Sequence, residues 1–259
     1  MRSLMGKVER ERGLALSSYK QPCLRRRLAV RMRARGVHDF VAYASVLDRV
    51  PEEYDLLLDA LTINVTKFFR NPETFALLRE RVVPALWGAP GHVAVWSAGC
   101  ASGEEPYTLA LLFADLARPG ALRARLRIDA TDLDPGALAA LGRATYPAPA
   151  VEDVPPPLLE RFFSPGPPFR LDPAVARLVR PRAHDLTRDP PPEPPYQLIV
   201  CRNVVIYFDR PTQERLFSAF FDALVPGGRL LLGKVETLFG PARTRFEVEE
   251  PRERLFRRP

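Results

Sequence analysis

Val93-Ala-Val-Trp-Ser-Ala-Gly-Cys-Ala-Ser-Gly-Glu-Glu-Pro-Tyr107 is an apolar run that ends in a glycine-bearing turn and opens directly into a helical pattern. A strand that feeds a helix through such a turn is the first unit of an α/β sheet, and a nucleotide-like ligand can sit against its backbone. Gly99 and Gly103 permit the tight turn and leave no Cβ to intrude on that ligand, so they are the natural contact points. The spacing is not Gly-x-Gly-x-x-Gly. Glu104 and Glu105 stand where a dinucleotide would place its pyrophosphate, and carboxylates there repel phosphate. For Glu104, a first-turn acid that merely complements the helix dipole is the competing reading.

Outward from this unit, short apolar runs alternate with helical segments. His92 to Ser97, Leu126 to Thr131, Tyr196 to Cys201 and Arg229 to Gly233 are the predicted strands of a largely parallel sheet. The second ends in Ala130-Thr-Asp-Leu-Asp134. Asp132 thereby falls at the carboxyl end of a strand, where ligands bind in open α/β sheets, and suits the hydroxyls of a ribose; a plain turn aspartate is the alternative. Asp134, before Pro135, reads as a helix N-cap. Adenosylmethionine has no phosphate and carries a cationic sulfonium and amino group, so it suits the acidic turn.

From about Leu14 to Leu61 the pattern is helical, with Pro22 in a first turn, Gly36 as a stop, and Pro51-Glu-Glu53 as a new start. Asn71-Pro-Glu73 predicts a further helix, N-capped by Asn71 and running toward Val83 until Pro84 stops it. Tyr146 to Asp185 is proline-dense, with a predicted helix at Pro156 to Phe163 and β-like runs at Phe169 to Leu171 and Val175 to Val179. It is either a small hairpin subdomain or an irregular connection. The expected organisation is a helical domain over 1–70, a linker helix over 71–90, and an α/β domain over 91–259 with a small β-type insertion at about 147–184.

The chain has 259 residues, 46% of them hydrophobic, enough to bury a core in one large and one small domain. Asp115 and Arg118 close the longest apolar run well short of the ~20 residues that span a bilayer, so a cytoplasmic protein without membrane insertion is expected. Cys23, Cys100 and Cys201 show no CxxC spacing and read as buried free thiols, and no metal is expected. A net charge of +7 favours an acidic partner: nucleic acid, an anionic membrane surface or a Glu-rich protein. Arg25, Arg26, Arg27, Arg31, Arg33 and Arg35 crowd one helical segment, as a solvated face or as a docking surface.

Four stretches, taken in order, resemble the CheR-type chemoreceptor glutamate O-methyltransferases: Leu61-Thr-Ile-Asn-Val-Thr-Lys-Phe-Phe-Arg70, Ser97-Ala-Gly-Cys-Ala-Ser-Gly-Glu-Glu-Pro-Tyr107, Ala130-Thr-Asp-Leu-Asp134 and Cys201-Arg-Asn-Val-Val-Ile-Tyr-Phe-Asp209. The resemblance covers nearly the whole chain, and the joint occurrence is far more specific than any one motif. It implies a Rossmann-like class I methyltransferase domain behind a small all-helical one, with S-adenosylmethionine as methyl donor and receptor glutamates as acceptors. It further implies that Asn64, Thr66 and Arg70 join the cofactor pocket from the interdomain segment, facing Gly99, Glu105 and Asp132 on the sheet side. Asp185 and Leu186 would flank the adenine, and Arg202 and Asn203 would sit at a strand tip. Arg70 and Tyr207 would lie near the methyl-transfer centre.

By the same resemblance the partner is the helical bundle of a chemoreceptor's cytoplasmic region, with Arg25, Arg26 and Arg31 as docking residues. The family usually reads Gly-His-Ser-Glu where this chain has Gly233-Lys-Val-Glu236, a change expected to act on local packing or substrate approach. The insertion stands where the family has a β-subdomain that in some members docks a receptor's C-terminal pentapeptide. It is short and proline-laden here, so no such tether is expected. A nucleic-acid methyltransferase is one rival reading, prompted by the basic charge and Pro194-Pro-Tyr196. These prolines precede a strand, whereas the loop that meets a flipped base in DNA enzymes follows one, so no nucleic acid is expected. A non-catalytic, cofactor-binding signalling adaptor is the other, disfavoured by the retention of Arg70 and Tyr207.

Overall fold

A computed structural model describes residues 1–62, 64–117 and 119–259. Ile63 of the Leu61–Arg70 stretch and Arg118 after the apolar run lie outside the described residues. The chain begins with a helical cluster: α1 (Arg2–Arg12), α2 (Gln21–Ala34), α3 (Phe40–Arg49) and α4 (Glu53–Leu61). Pro22 sits in the first turn of α2, where a missing N–H costs no bond. The pattern that begins near Leu14 leaves out α1, because only Leu4, Met5 and Val8 of that charged helix are buried. Those three pack with Leu24, Leu28, Tyr43, Leu47 and Leu57 into one apolar core.

That core has a charged centre. Glu53 is wholly buried, at 0% exposure, and accepts from Arg31 Nε at 2.9 Å, Arg31 Nη2 at 2.8 Å, Arg35 Nε at 2.6 Å and the Tyr43 hydroxyl at 2.7 Å. A carboxylate removed from water requires such partners. Arg31 is therefore a half-buried cation paired inside the cluster, where the sequence suggested a docking residue. Arg25 and Arg26 are exposed.

The segment after the cluster also departs from expectation. The helix does not stop at Pro84: α5 (Pro72–Leu77) passes through a π-helical turn, Leu78–Val82, into α6 (Val83–Gly88). Proline removes an N–H and crowds the carbonyl four residues back, and the widened turn just before it accommodates both effects. Asn71 is not a side-chain cap either. It lies in the left-handed region, φ 64°, and its Oδ1 accepts from Arg202 Nη2 at 2.8 Å.

The rest of the chain supplies β1 (Val93–Ala98), β2 (Leu126–Asp132), β3 (Thr145–Tyr146), β4 (Phe169–Arg170), β5 (Val179–Ala183), β6 (Tyr196–Cys201), β7 (Leu224–Leu232), β8 (Glu247–Glu250) and β9 (Leu255–Arg257). Seven of these form one sheet in the order β5-β2-β1-β6-β7-β9-β8. It is parallel from β5 to β7 and antiparallel at β9 and β8. β3 and β4 make a separate antiparallel ladder. Helices α7 (Glu104–Leu116), α8 (Pro119–Arg125), α9 (Pro135–Arg143), α10 (Ala148–Val151), α11 (Pro156–Phe162), α12 (Pro173–Ala176), α13 (Arg210–Ala223) and α14 (Ala242–Arg245) complete the chain. Val95, Ile128 and Val200 pack under α7, while Trp96, Ile199 and Leu232 pack under α13. A sheet covered on both faces explains why its central strands read as unbroken apolar runs.

The Val175–Val179 run is not a strand of the insertion. Asp172 caps α12, accepting from Ala174 N at 2.6 Å, so Val175 is helical. Val179 opens β5, which pairs with β2 as an edge of the main sheet. Cys100 and Cys201 are buried free thiols as expected, but Cys23 is half-buried. Among the described residues no helix is long and apolar enough to cross a membrane.

Two connections bring the helical cluster onto the carboxyl edge of the sheet. Lys20 N donates to the Tyr207 carbonyl at 2.9 Å and Asp209 N to the Ser18 carbonyl at 2.8 Å. The Tyr19 ring meets Phe208 edge-on at 5.1 Å. Strand order reverses between β1 and β6, so this edge is the crevice in which open α/β sheets bind ligands.

Candidate active site

The crevice consists of two adjoining hollows that share Gly99, Ala101, Asn203 and Val204 as walls. The first is framed by Asp132 and Leu133 at the end of β2, Asp185 and Leu186 after β5, Tyr207 and Phe208 after β6, and Tyr19, Thr62 and Asn64 from the helical side. The second holds Thr66, Lys67, Arg70, Glu105 and Arg202. All ten residues expected to meet the cofactor line one hollow or the other. Arg70 and Tyr207, expected at the transfer centre, lie in different ones.

Gly99 has φ 79°, and a Cβ there would stand 2.5 Å from Val204 Cγ2. Glycine is thus required both by backbone conformation and by space. Asp132 Oδ2 accepts from Ala101 N at 2.8 Å and Oδ1 from Asp134 N at 3.0 Å, which fixes the carboxylate while leaving lone pairs toward the hollow. Burial pushes its pKa up. Asp134 is the helix cap expected, accepting from Gly136 N at 2.7 Å. Its Oδ2 also accepts from Asn64 Nδ2 at 2.5 Å and Thr62 Oγ1 at 3.0 Å, tying the interdomain segment to the sheet.

In the second hollow Glu105 accepts from Ser97 Oγ at 2.8 Å and pairs with Arg202, Nη1 to Oε2 at 3.5 Å. Burial raises the Glu105 pKa against the pull of Arg202. Glu104 turns away to Ser102, at 2.8 Å, in keeping with its reading as a first-turn acid. Arg202 also donates to the Arg70 carbonyl and Asn71 Oδ1, both at 2.8 Å, so it clamps the interdomain segment to the tip of β6. Arg70 itself donates from Nη1 to the Val65 carbonyl at 2.9 Å. Asp185 Oδ1 accepts from Thr187 N at 2.8 Å.

Residues 64–254 match the family described as CheR methyltransferase, SAM binding domain, and residues 1–62 match CheR methyltransferase, all-alpha domain. The chain belongs to the CheR methyltransferase family. It is 33% identical over 245 residues to a probable chemotaxis protein methyltransferase of Rhizobium etli, covering 91% of each chain. It is 34% identical over 230 residues to chemotaxis protein methyltransferase 2 of Pseudomonas aeruginosa, covering 86% of this chain and 81% of that one. An uncharacterized 104.1 kDa protein of Rhodobacter capsulatus is 36% identical over 242 residues, which are 92% of this chain and 25% of that protein's length. As a CheR methyltransferase the chain is an S-adenosylmethionine-dependent enzyme with a Rossmann-like class I domain.

The hollows fit that cofactor. Their acids, Asp132 and Glu105, suit hydroxyls and cationic groups, Leu133, Leu186 and Val204 give apolar surface for a nucleobase, and Gly99 leaves room beside the backbone. Asn203 Oδ1 is a buried acceptor with no partner among the described residues. Four lining residues of the first hollow were not named as site residues: Leu61 and Thr62, although they open the first matching stretch, and Tyr19 and His184, which reach it by tertiary contact. Glu236, which lines neither hollow, lies in a turn that was read for its Lys-Val departure. Lys234 of that turn pairs with Glu73 at 3.3 Å and Glu253 at 3.2 Å, outside both hollows.

Proposed function

We propose that this CheR methyltransferase esterifies glutamate side chains on the cytoplasmic helical bundle of a chemoreceptor. What carries the reading is that Arg70 and Tyr207 line two adjoining hollows with a common wall of Gly99, Ala101, Asn203 and Val204, and that the residues assigned to the cofactor line the same two hollows. Its relatives' names, chemotaxis protein methyltransferases, support the choice of acceptor.

Asp132 would receive the ribose hydroxyls, Asp185 and Leu186 would flank the adenine, and Asn64, Thr66, Gly99, Glu105, Arg202 and Asn203 would close around the amino-acid end. When bound, adenosylmethionine supplies an electrophilic methyl group on its sulfonium. A glutamate carboxylate is ionised at neutral pH, its ordinary pKa being about 4.3, so no residue has to act as base. The protein's task is to strip water from the carboxylate, align one oxygen and hold the other. Arg70 offers a planar fork for the second oxygen and Tyr207 a hydroxyl donor. Burial pushes the Tyr207 pKa up, which keeps that hydroxyl protonated. Charge is lost from the carboxylate as it is methylated, so an excessively tight pair with Arg70 would favour the ground state. The half-exposed position of Arg70 suits that requirement.

Two observations bear on the partner. Pro194 and Pro195 enter β6 at the end opposite Asn203, and the neighbouring Glu193 is held by Arg127 at 3.0 Å and Arg182 at 2.6 Å. This placement supports the reading without nucleic acid. The β3–β4 ladder pairs only two residues a side, a poor template for an added peptide strand, which supports methylation without a pentapeptide tether.

The reading is tested by transfer of a labelled methyl group from adenosylmethionine to a purified receptor cytoplasmic fragment, followed by mild alkali. Release of the label as methanol is expected. Alkali-stable label would reject the carboxylate as acceptor, and cofactor binding without transfer would favour the adaptor reading.

A further inference from the structure

Beyond the β6 strand the chain has to leave the sheet, and its backbone donors there need acceptors. One side chain supplies them. Glu236, 3% exposed, accepts from Gly233 N at 2.6 Å and Asn203 N at 2.9 Å through Oε2. Through Oε1 it accepts from Val204 N at 2.9 Å and Ile206 N at 3.4 Å. The carboxylate is thus held by backbone amides gathered from two separate turns, a concave arrangement that suits an anion.

The surroundings are shaped for this contact. A Cβ on Gly233 would stand 2.7 Å from Glu236 Oε2 and 2.9 Å from Asn203 N, so only glycine lets the two turns close on each other. Asn203 is held at φ 61°, a conformation that costs a non-glycine residue energy and persists only where neighbours enforce it. The amides of Asn203, Val204 and Ile206 belong to the stretch whose side chains face both hollows. Tyr207 follows directly, and Arg202, which clamps the Arg70 carbonyl, precedes it. Glu236 lines neither hollow.

We propose that Glu236 is a positioning residue for methyl transfer: it fixes the Asn203–Tyr207 tip, and through that tip sets the Asn203 carboxamide and the Tyr207 hydroxyl in the site. The inference rests on the reading of the site as a methyl-transfer centre. Burial raises the Glu236 pKa, yet four amide bonds favour the anion. Protonation or neutralisation would loosen the tip without touching any reacting atom.

Glu236→Gln keeps the shape but turns an NH2 group, a donor, against amide donors. It is measured beside wild type for thermal midpoint, adenosylhomocysteine affinity by calorimetry, and kcat and receptor KM for methyl transfer. The expected result is a folded variant whose kcat falls about 10- to 100-fold, as small misplacements of reacting groups do, with receptor KM little changed. Because Glu236 acts through Asn203, the loss in Glu236→Gln with Asn203→Ala should be smaller than the product of the two single losses. If Glu236→Gln fails to fold, Glu236→Asp, which is too short to reach all four amides, takes its place in the same cycle. Wild-type kcat in a folded variant, or multiplicative losses in the double variant, would overturn the inference. No methyl transfer by the wild-type protein would instead sink the functional reading on which it rests.

Discussion

Arg202 Nη1 stands 3.5 Å from Glu105 Oε2, with 2% and 12% of the two side chains exposed. Burial pulls the Arg202 pKa down and pushes that of Glu105 up, so each ion holds its charge through the other. Arg202 also bonds the Arg70 carbonyl and Asn71. One cation thereby ties together the tip of β6, the start of α7 and the interdomain segment.

Arg202→Ala should accordingly cost stability as well as activity. It strands Glu105 in a buried position, and removing one member of a buried pair typically costs about 3 to 5 kcal/mol. Arg202→Lys should recover only part, since an ammonium cannot reach Glu105, the carbonyl and Asn71 as a planar fork does. Urea unfolding decides the matter: a loss below about 1 kcal/mol for Arg202→Ala would show that water or a neighbour compensates Glu105.

The Glu53 cluster predicts a pH dependence of stability. Burial alone would raise the Glu53 pKa, but bonds from Arg31, Tyr43 and Arg35 outweigh it and hold the pKa at about 2, against the usual 4.5. Between those values the unfolded chain binds the extra proton and the folded one does not. The contribution is therefore full above about pH 4.5 and is lost as pH falls toward 2. Comparing wild type with Glu53→Gln over that range isolates it from carboxylates such as Asp132, whose raised pKa works in the opposite sense. The gap between the two proteins should shrink by about 2 kcal/mol on acidification, allowing for solvent at Arg35. A gap constant with pH would refute it.

What was legible in the sequence follows from where each residue gets its neighbours. β1, β2 and β6 are covered on both faces, so their burial is written as apolar runs, and the turn at Gly99 follows from strand, glycine and helix in succession. β8 is an edge strand whose Glu247 and Val248 are exposed, so it leaves no such run. Arg31 and Arg25 share one helix and one residue type. Only the packing of α4 against α2, which brings Glu53 to Arg31, separates a half-buried, paired cation from a surface one. Tyr19 reaches the first hollow, and Glu236 the amides at the tip of β6, across the fold, and local spacing carries no trace of that.

This distinction yields a prediction for docking. Arg25 and Arg26 are exposed on α2, so Arg25→Glu with Arg26→Glu should leave the thermal midpoint nearly unchanged. If α2 meets an acidic receptor helix, the same pair should raise receptor KM several-fold at low salt, with the difference fading as salt screens the charges. Arg31→Glu should instead unfold the helical cluster by placing two carboxylates together. Methylation unaffected by the Arg25 and Arg26 reversals at low salt would remove α2 from the receptor interface.

Arg70 can be tested with little risk to the fold, because the contact through which its segment is held uses its backbone. Arg202 bonds the Arg70 carbonyl, which Arg70→Ala retains, and the guanidinium's bond to Val65 lies at a half-exposed site. The thermal midpoint should therefore stay close to wild type while kcat falls about 100-fold, as expected when an orienting cation is lost from a reacting carboxylate. Tyr207→Phe removes a single neutral donor and should cost less, about tenfold. Since the Tyr207 pKa is raised, wild-type turnover should show no loss of that donor through neutral and mildly alkaline pH. Near-normal kcat in Arg70→Ala would strike Arg70 from the transfer centre; equal losses in both variants would instead mean that the two act as one unit on the acceptor carboxylate.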